Sequence, residues 1–276
     1  MKQICDTLNV ARSNISERIR GQRKQRGFYK KPEDSSIHTA ILELLDDRPT
    51  YGYRRIHALL NRRNSIEGKP AINHKRVYRI MKQNGLLLTR YTGNLKTTRQ
   101  HTGKVITLKS NLRWCSDVFE IPCWNKEVVR VVFSMDCCDR EVMSYVATGG
   151  WIDAHIVRDL ILQTMEYRFG KVDKLPHPIE WLTDNGKYYL ANDTVKFAKS
   201  INLIPCTTPP YSPQSNGIAE AFVKTFKRDY VYIHDRPDAK TVLSQLSKWF
   251  EDYNKIHPHK GLGMRSPREF IQTVQG

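Results

Sequence analysis

Apolar residues along the first ninety positions recur at helical spacing. Ile4, Leu8, Ile15 and Ile19 follow that period across residues 2 to 20 and predict two short helices around Leu8-Asn9-Val10. Farther on, Ile37, Ile41, Leu44 and Leu45 make one stripe, Ile56, Leu59 and Leu60 a second, and Val77, Ile80 and Met81 a third. Three such stripes in about fifty residues predict a small helical bundle over residues 36–90. Pro49-Thr50-Tyr51-Gly52 and Ser65-Ile66-Glu67-Gly68-Lys69-Pro70 break the first and second helices, and Asn73 is placed to cap the third. Residues 91–110 lack any apolar period and read as a basic linker.

From Trp114 the period changes. The runs Trp114 to Pro122, Val128 to Asp136 and Glu141 to Thr148 are short and β-branched, separated by Trp124-Asn125-Lys126 and by Cys137 to Arg140. They predict a three-stranded antiparallel meander. A helix from Asp153 to Tyr167, a buried strand Ile179 to Leu182, a helix near Ala191 to Ser200, a strand Leu203 to Cys206 and a helix from Gly217 to Tyr232 complete the order β-β-β-α-β-α-β-α. The expected class is α/β, a five-stranded mixed sheet with helices, preceded by small all-α units. The expected boundaries are 1–31, a partial helix-turn-helix with basic linker; 36–90, a helical DNA-binding domain; 91–110, linker; 111–235, catalytic core; and 236–276, a C-terminal helical tail.

Charge adds a partner to this outline. The chain of 276 residues carries a net charge of +17, which favours a polyanion because Lys and Arg beside a duplex release its condensed counterions. Residues 1 to 104 hold +15 of that charge and the remainder only +2, so the front of the chain is the expected DNA grip. His74, Lys75, Arg76 and Arg79 on the third stripe, with Arg54 and Arg55 before them, are the expected DNA contacts. The six cysteines contain no Cys-x-x-Cys, and His257 and His259 have no matching Cys or Asp cluster, so neither set predicts a zinc site. Adjacent Cys137 and Cys138 are expected on opposite faces of a strand. No apolar run approaches 18 residues and no leader opens the chain, which points to a cytoplasmic protein with no membrane segment.

The candidate chemistry lies in three carboxylates. Asp117 is central to the first predicted strand, Asp184 follows the fourth in Thr183-Asp184-Asn185-Gly186, and Glu220 opens a helix after Ser212-Pro213-Gln214-Ser215-Asn216-Gly217. Asp184 and Glu220 are separated by 35 residues. Each has an ordinary reading alone: an edge charge, a turn, a first-turn acid. Together they supply the hard oxygens with which two Mg²⁺ or Mn²⁺ ions are held against a phosphodiester. Asp136, at the end of the second run, is a rival ligand. Asn185, Gln214 and Asn216, in loops bordering the carboxylates, are expected to contact a DNA end, as are Lys224 and Lys227, four and seven residues beyond Glu220.

These motifs, with Tyr51-Gly52-Tyr53-Arg54-Arg55-Ile56 upstream and His257-Pro258-His259 and Arg265-Ser266-Pro267-Arg268-Glu269-Phe270 downstream, resemble the DDE transposases of the retroviral-integrase superfamily. Within it they are most similar to the second-frame transposases of copy-out, paste-in bacterial insertion sequences. The resemblance implies a ribonuclease H-like core, Asp117, Asp184 and Glu220 as catalytic and metal-binding residues with two Mg²⁺ or Mn²⁺ ions, and a structural role for Asp136. It also implies binding to terminal inverted repeats and target DNA, a homo-oligomer on paired ends, and fusion to or action with an upstream-frame product that would complete the first helix-turn-helix. Two alternatives stand beside it. A non-catalytic regulator of the same element would need only the helices up to residue 90, and a ribonuclease H-type nuclease would not need two helical DNA-binding units.

Overall fold

The computed structural model describes residues 2–7, 10, 15–16, 19, 31–89, 107–207 and 217–275. Helix α1, Lys2–Thr7, belongs to the first helical unit. The bundle that follows contains α2, Asp34–Asp47; α3, Tyr53–Ile66; and α4, His74–Gln83. Its core is the three predicted stripes, with Ile41, Ile56, Val77 and Met81 fully buried together with Tyr51. Asn73 caps α4, its side-chain oxygen accepting the Lys75 N–H at 2.8 Å.

The sheet runs in the order β3-β2-β1-β4-β5. Strands β1, Arg113–Pro122, β2, Val128–Asp136, and β3, Val142–Thr148, form the expected meander. Strand β4, Ile179–Thr183, pairs in parallel with β1, and β5, Leu203–Thr207, in parallel with β4. Both faces are covered, which is why these strands carry apolar residues at odd and even positions alike. Cys115, Phe119, Ile121, Val131 and Phe133 face α8, Gly217–Phe226, and α9, Ala239–Lys255, the latter following the π turn Lys227–Val231. Trp114, Val132, Ile179, Trp181 and Leu203 face α5, Ala154–Phe169, α6, Lys187–Leu190, and α7, Asn192–Ser200.

Two local features depart from the sequence reading. The helix expected to run to Tyr232 changes to π geometry at Lys227, where the Tyr232 N–H donates to the Lys227 carbonyl at 2.9 Å. The extra residue in that turn lets Asp229, Tyr230 and Val231 all be buried, whereas three successive residues of a regular α-helix sweep too wide an arc to share one face. Cys137 and Cys138 lie in the β2–β3 turn rather than on a strand. Asp136 is fully buried and accepts the N–H groups of Asn111, Cys138 and Asp139 at 2.6, 2.7 and 3.1 Å, so its place is in the turn's hydrogen bonding.

The segment 236–276 contributes to the core. Val242, Leu246, Trp249, Phe250 and Tyr253 of α9 pack in the same cluster as Phe119 and Phe133. Helix α10, Pro267–Gln275, starts with a capping box in which the Ser266 N–H donates to Glu269 at 2.7 Å and the Glu269 N–H to Ser266 Oγ at 3.3 Å. Arg268 then reaches Glu141 at 3.0 Å and Glu251 at 2.7 Å, pinning the end of the chain to the sheet. Among the described residues no helix is long and apolar enough to cross a membrane.

Candidate active site

Asp117 stands in β1 opposite Phe133, on the sheet face that α8 covers, between the buried positions Cys115 and Phe119. One carboxylate oxygen accepts the Val118 N–H at 2.8 Å. Burial, followed by the neighbouring charges of Asp184 and Glu220, pushes its pKa up to about 6, against the Val118 N–H and Lys227, which hold it down. Three elements far apart in sequence thus bring their carboxylates into one field.

Asp184 lies one residue past β4, its oxygen accepting the Gly186 N–H at 2.9 Å. Gly186 is required by space rather than by backbone angle: a Cβ there would stand 2.9 Å from the Tyr188 ring and 3.0 Å from the Asp184 oxygen. Glu220 is exposed in the first turn of α8, while Ala219, Phe222 and Phe226 of that helix are buried. Phe222 and Phe226 pack on Phe119 at 6.5 and 5.7 Å between ring centroids, and so tie the helix to the strand of Asp117. Truncating either ring to Ala would cost about 3–5 kcal/mol.

Among the described residues no three His, Cys, Asp or Glu side chains converge as closely as metal ligands do. The donor set still suits a divalent cation, because three carboxylates that repel one another have a hard cation as their natural counter-charge. Glu220 is the exposed member and sits on the helix that begins directly after residues 208–216.

Lys227 is half-buried with its ammonium 5.8 Å from the Phe119 ring centroid, and it is the cation whose charge acts on Asp117. Lys224 is exposed and is not among the main charges there. Asn185 is exposed beside Asp184. Gln214 and Asn216 lie outside the described residues. Tyr188, which the sequence reading passed over, has its ring against Gly186, and burial with the charges of Asp184 and Asp117 pushes its pKa up to about 12. An aromatic two positions after the Asp-Asn-Gly turn was the available signal.

The expected DNA contacts divide. Lys75 is exposed on α4, and Arg54 is exposed with its guanidinium 5.6 Å from the Tyr53 ring centroid. Arg76 and Arg79 instead turn back within the bundle, at 2.8 and 2.7 Å from Asp34, with Arg76 also 3.2 Å from Glu33. Two arginines one turn apart converge on the carboxylate of the first residue of α2, which holds α2 and α4 together. Arg55 points to the core, 2.8 Å from Asp229, whose side chain is fully buried. In this arrangement all three guanidiniums have carboxylate partners within the protein.

Comparison with known proteins agrees with this architecture. Residues 32–92 match the HTH-like domain family, while residues 108–213 and 205–267 match two families each described as integrase core domain. The chain is 50% identical over 240 residues to the transposase InsD for insertion element IS2A/D/F/H/I/K of Escherichia coli, covering 87% of this chain and 79% of that protein. It is equally identical to InsD for insertion element IS2-9 of strain K12, over 87% of this chain and 78% of that one. Among solved structures, the simian T-cell lymphotropic virus intasome in complex with PP2A regulatory subunit B56 gamma shares the fold, with a TM-score of 0.51 and 16% identity over 83% of this chain and 73% of that one. Half of the aligned residues are identical across most of both proteins, on a sheet and helices of integrase-core order: the chain belongs to the DDE transposases of the integrase superfamily, DNA transposases of the polynucleotidyl transferase class.

Proposed function

We propose that Asp117, Asp184 and Glu220 form the centre at which this transposase cleaves and joins DNA strands at the ends of its insertion sequence, holding two Mg²⁺ or Mn²⁺ ions. The observation that carries this reading is the convergence of charge on Asp117, where Asp184 and Glu220 both oppose ionisation. Bound between these carboxylates, divalent ions would supply the Lewis acidity that activates a water or 3′-hydroxyl and stabilises the leaving oxygen. The protein's own part is placement. The Val118 and Gly186 N–H groups fix the two aspartates on the sheet. Helix α8 presents Glu220 from the opposite side, and Lys227 can hold a phosphate without competing as a ligand, since its ammonium has only donors.

The helical bundle would bind the terminal inverted repeats, with Lys75 and Arg54 toward the duplex, while Asn185, Gln214 and Asn216 contact the end near the carboxylates. Assembly of several copies on paired ends, and capture of target DNA, belong to the same reading. The test is incubation of the purified chain with labelled ends in Mg²⁺, Mn²⁺ or EDTA. Asp117→Asn, Asp184→Asn and Glu220→Gln should each abolish cleavage and joining while leaving end binding intact, because they remove ligands rather than the basic grip. Substantial Mg²⁺-dependent activity in any of the three would overturn the assignment.

A further inference from the structure

The Tyr51-Gly52-Tyr53-Arg54-Arg55-Ile56 run does its visible work at the junction between bundle and core. Thr50 Oγ1 donates to Asp229 at 2.7 Å, and Arg55 reaches the other oxygen of the same carboxylate at 2.8 Å. The Tyr51 hydroxyl is 2.8 Å from His257 Nδ1. On either side, Arg48 grips Asp252 through both nitrogens at 2.6 and 2.8 Å, and Arg62 reaches Glu269 at 2.6 Å and the carbonyls of Ile256 and Met264 at 2.7 and 2.8 Å. The receptor at the centre of this seam is the π turn, and that turn begins with Lys227.

We propose that Asp229 is a positioning residue for strand transfer, through which the helical bundle holds the π turn and thereby sets Lys227 and the helix of Glu220 against Asp117. This rests on reading Glu220 and Lys227 as parts of the strand-transfer centre. The physical case is a short, stiff path. Asp229 is fully buried and can change partners only by leaving Thr50, Arg55 and Arg228 unpaired, so the turn has one favoured arrangement while the bundle is docked. From that turn, Phe226 and Phe222 carry the constraint along α8 to Glu220 through their packing on Phe119. A DNA end captured by the bundle is in this way registered on the centre that cuts it, and the bundle acts as part of the catalytic frame as well as a grip.

The test uses the full chain and a labelled duplex carrying the terminal repeat of its own element. Arg55→Gln and Thr50→Val leave Asp229 paired with Arg228, so the fold is expected to survive, as judged by thermal unfolding. Both should lower kcat for end joining on the order of tenfold or more, with KM for the end unchanged. Arg55→Lys should recover part of the loss. Amide exchange at residues 227–231 should slow when the duplex binds the parent and should not respond in Arg55→Gln. Parental kcat in both variants, a loss that merely tracks the folded fraction, or exchange at 227–231 indifferent to DNA in the parent would each overturn the proposal. Failure of the underlying reading looks different: Glu220→Gln would then join ends at the parental rate, while the exchange measurement would still decide whether bundle and π turn are coupled.

Discussion

Lowering the pH from 7.5 to 5.5 should weaken the fold through His259, and His259→Phe should remove that part of the loss. His259 packs edge-on against Tyr253 and His257, with ring centroids 5.1 and 4.8 Å apart, and its Nε2 is buried with no hydrogen-bond partner among the described residues. Burial, followed by the charges of Arg55 and Arg140, pushes its pKa down to about 3. An unfolded chain binds that proton near pH 6.5, so between these values the unfolded state holds a proton that the fold excludes. Stability is therefore complete above about 6.5 and is lost as the pH falls below it. One decade below the unfolded value, the loss from this group is about 1.4 kcal/mol, and any folded pKa under about 4.5 gives the same figure. His257, depressed by burial, then by His259 itself and by Arg55, Arg228 and Arg48, steepens the trend. Asp117 and Asp136, both raised to about 6 with burial as the largest cause, work in the opposite direction below pH 6. Comparing parent and variant cancels the two aspartates and the part of the His257 depression that burial and the arginines impose. Urea unfolding at each pH gives the four free energies needed. The pH-dependent loss should be smaller in His259→Phe by about 1.4 kcal/mol, and an equal loss in both proteins would refute the neutral, buried imidazole.

Lys227→Ala should lower end joining by about tenfold to a hundredfold with metal-free end binding preserved, because a phosphate would lose its position beside the carboxylates. Lys224→Ala, from an exposed residue, should do much less, and parental joining rates in both would end the role given to this helix. Gly186→Ala should slow cleavage with little change in thermal midpoint, since its Cβ would press on Tyr188 and on the Asp184 oxygen. An unaltered Mg²⁺ dependence in that variant would refute the tight packing. Lys75→Glu should weaken end binding and reduce the slope of log K against log salt by about one or more. Arg76→Glu should instead lower the thermal midpoint by breaking the pair with Asp34, and an unchanged midpoint would show that the pair contributes nothing.

Elements with a long, uniform period were legible in the sequence. Strands β1 to β3 follow the expected runs to within a residue at each end, because alternating packing on two faces writes itself into every position. Helix α6 was missed, since its four residues are too few for any helical period to register. The π turn was invisible for another reason: it buries Asp229, Tyr230 and Val231 together, Asp229 against Thr50 and Arg55 and the other two in the cluster with Trp249 and Phe250, all in separate parts of the chain. The candidate carboxylates were legible as residues, each flanked by a distinctive motif, whereas the nearness of Glu220 and Asp184 to Asp117 is a property of the folded chain.

The same distinction bears on where the basic front of the chain directs its charge. Arg48, Arg55, Arg62, Arg76 and Arg79 all belong to the basic front of the chain, yet each meets a carboxylate within the protein. Net charge sums over a segment and says nothing of direction, while a guanidinium with a planar fork is the side chain best suited to bind an internal carboxylate. Along residues 31–89, Lys31, Arg54, Lys75 and Lys82 have no ion pair among the described residues. The arginines of the Tyr51-to-Ile56 motif thus divide between two tasks: Arg54 looks outward, and Arg55 joins the bundle to the core. A motif can identify a family because it holds two domains in register, without every residue in it touching the substrate.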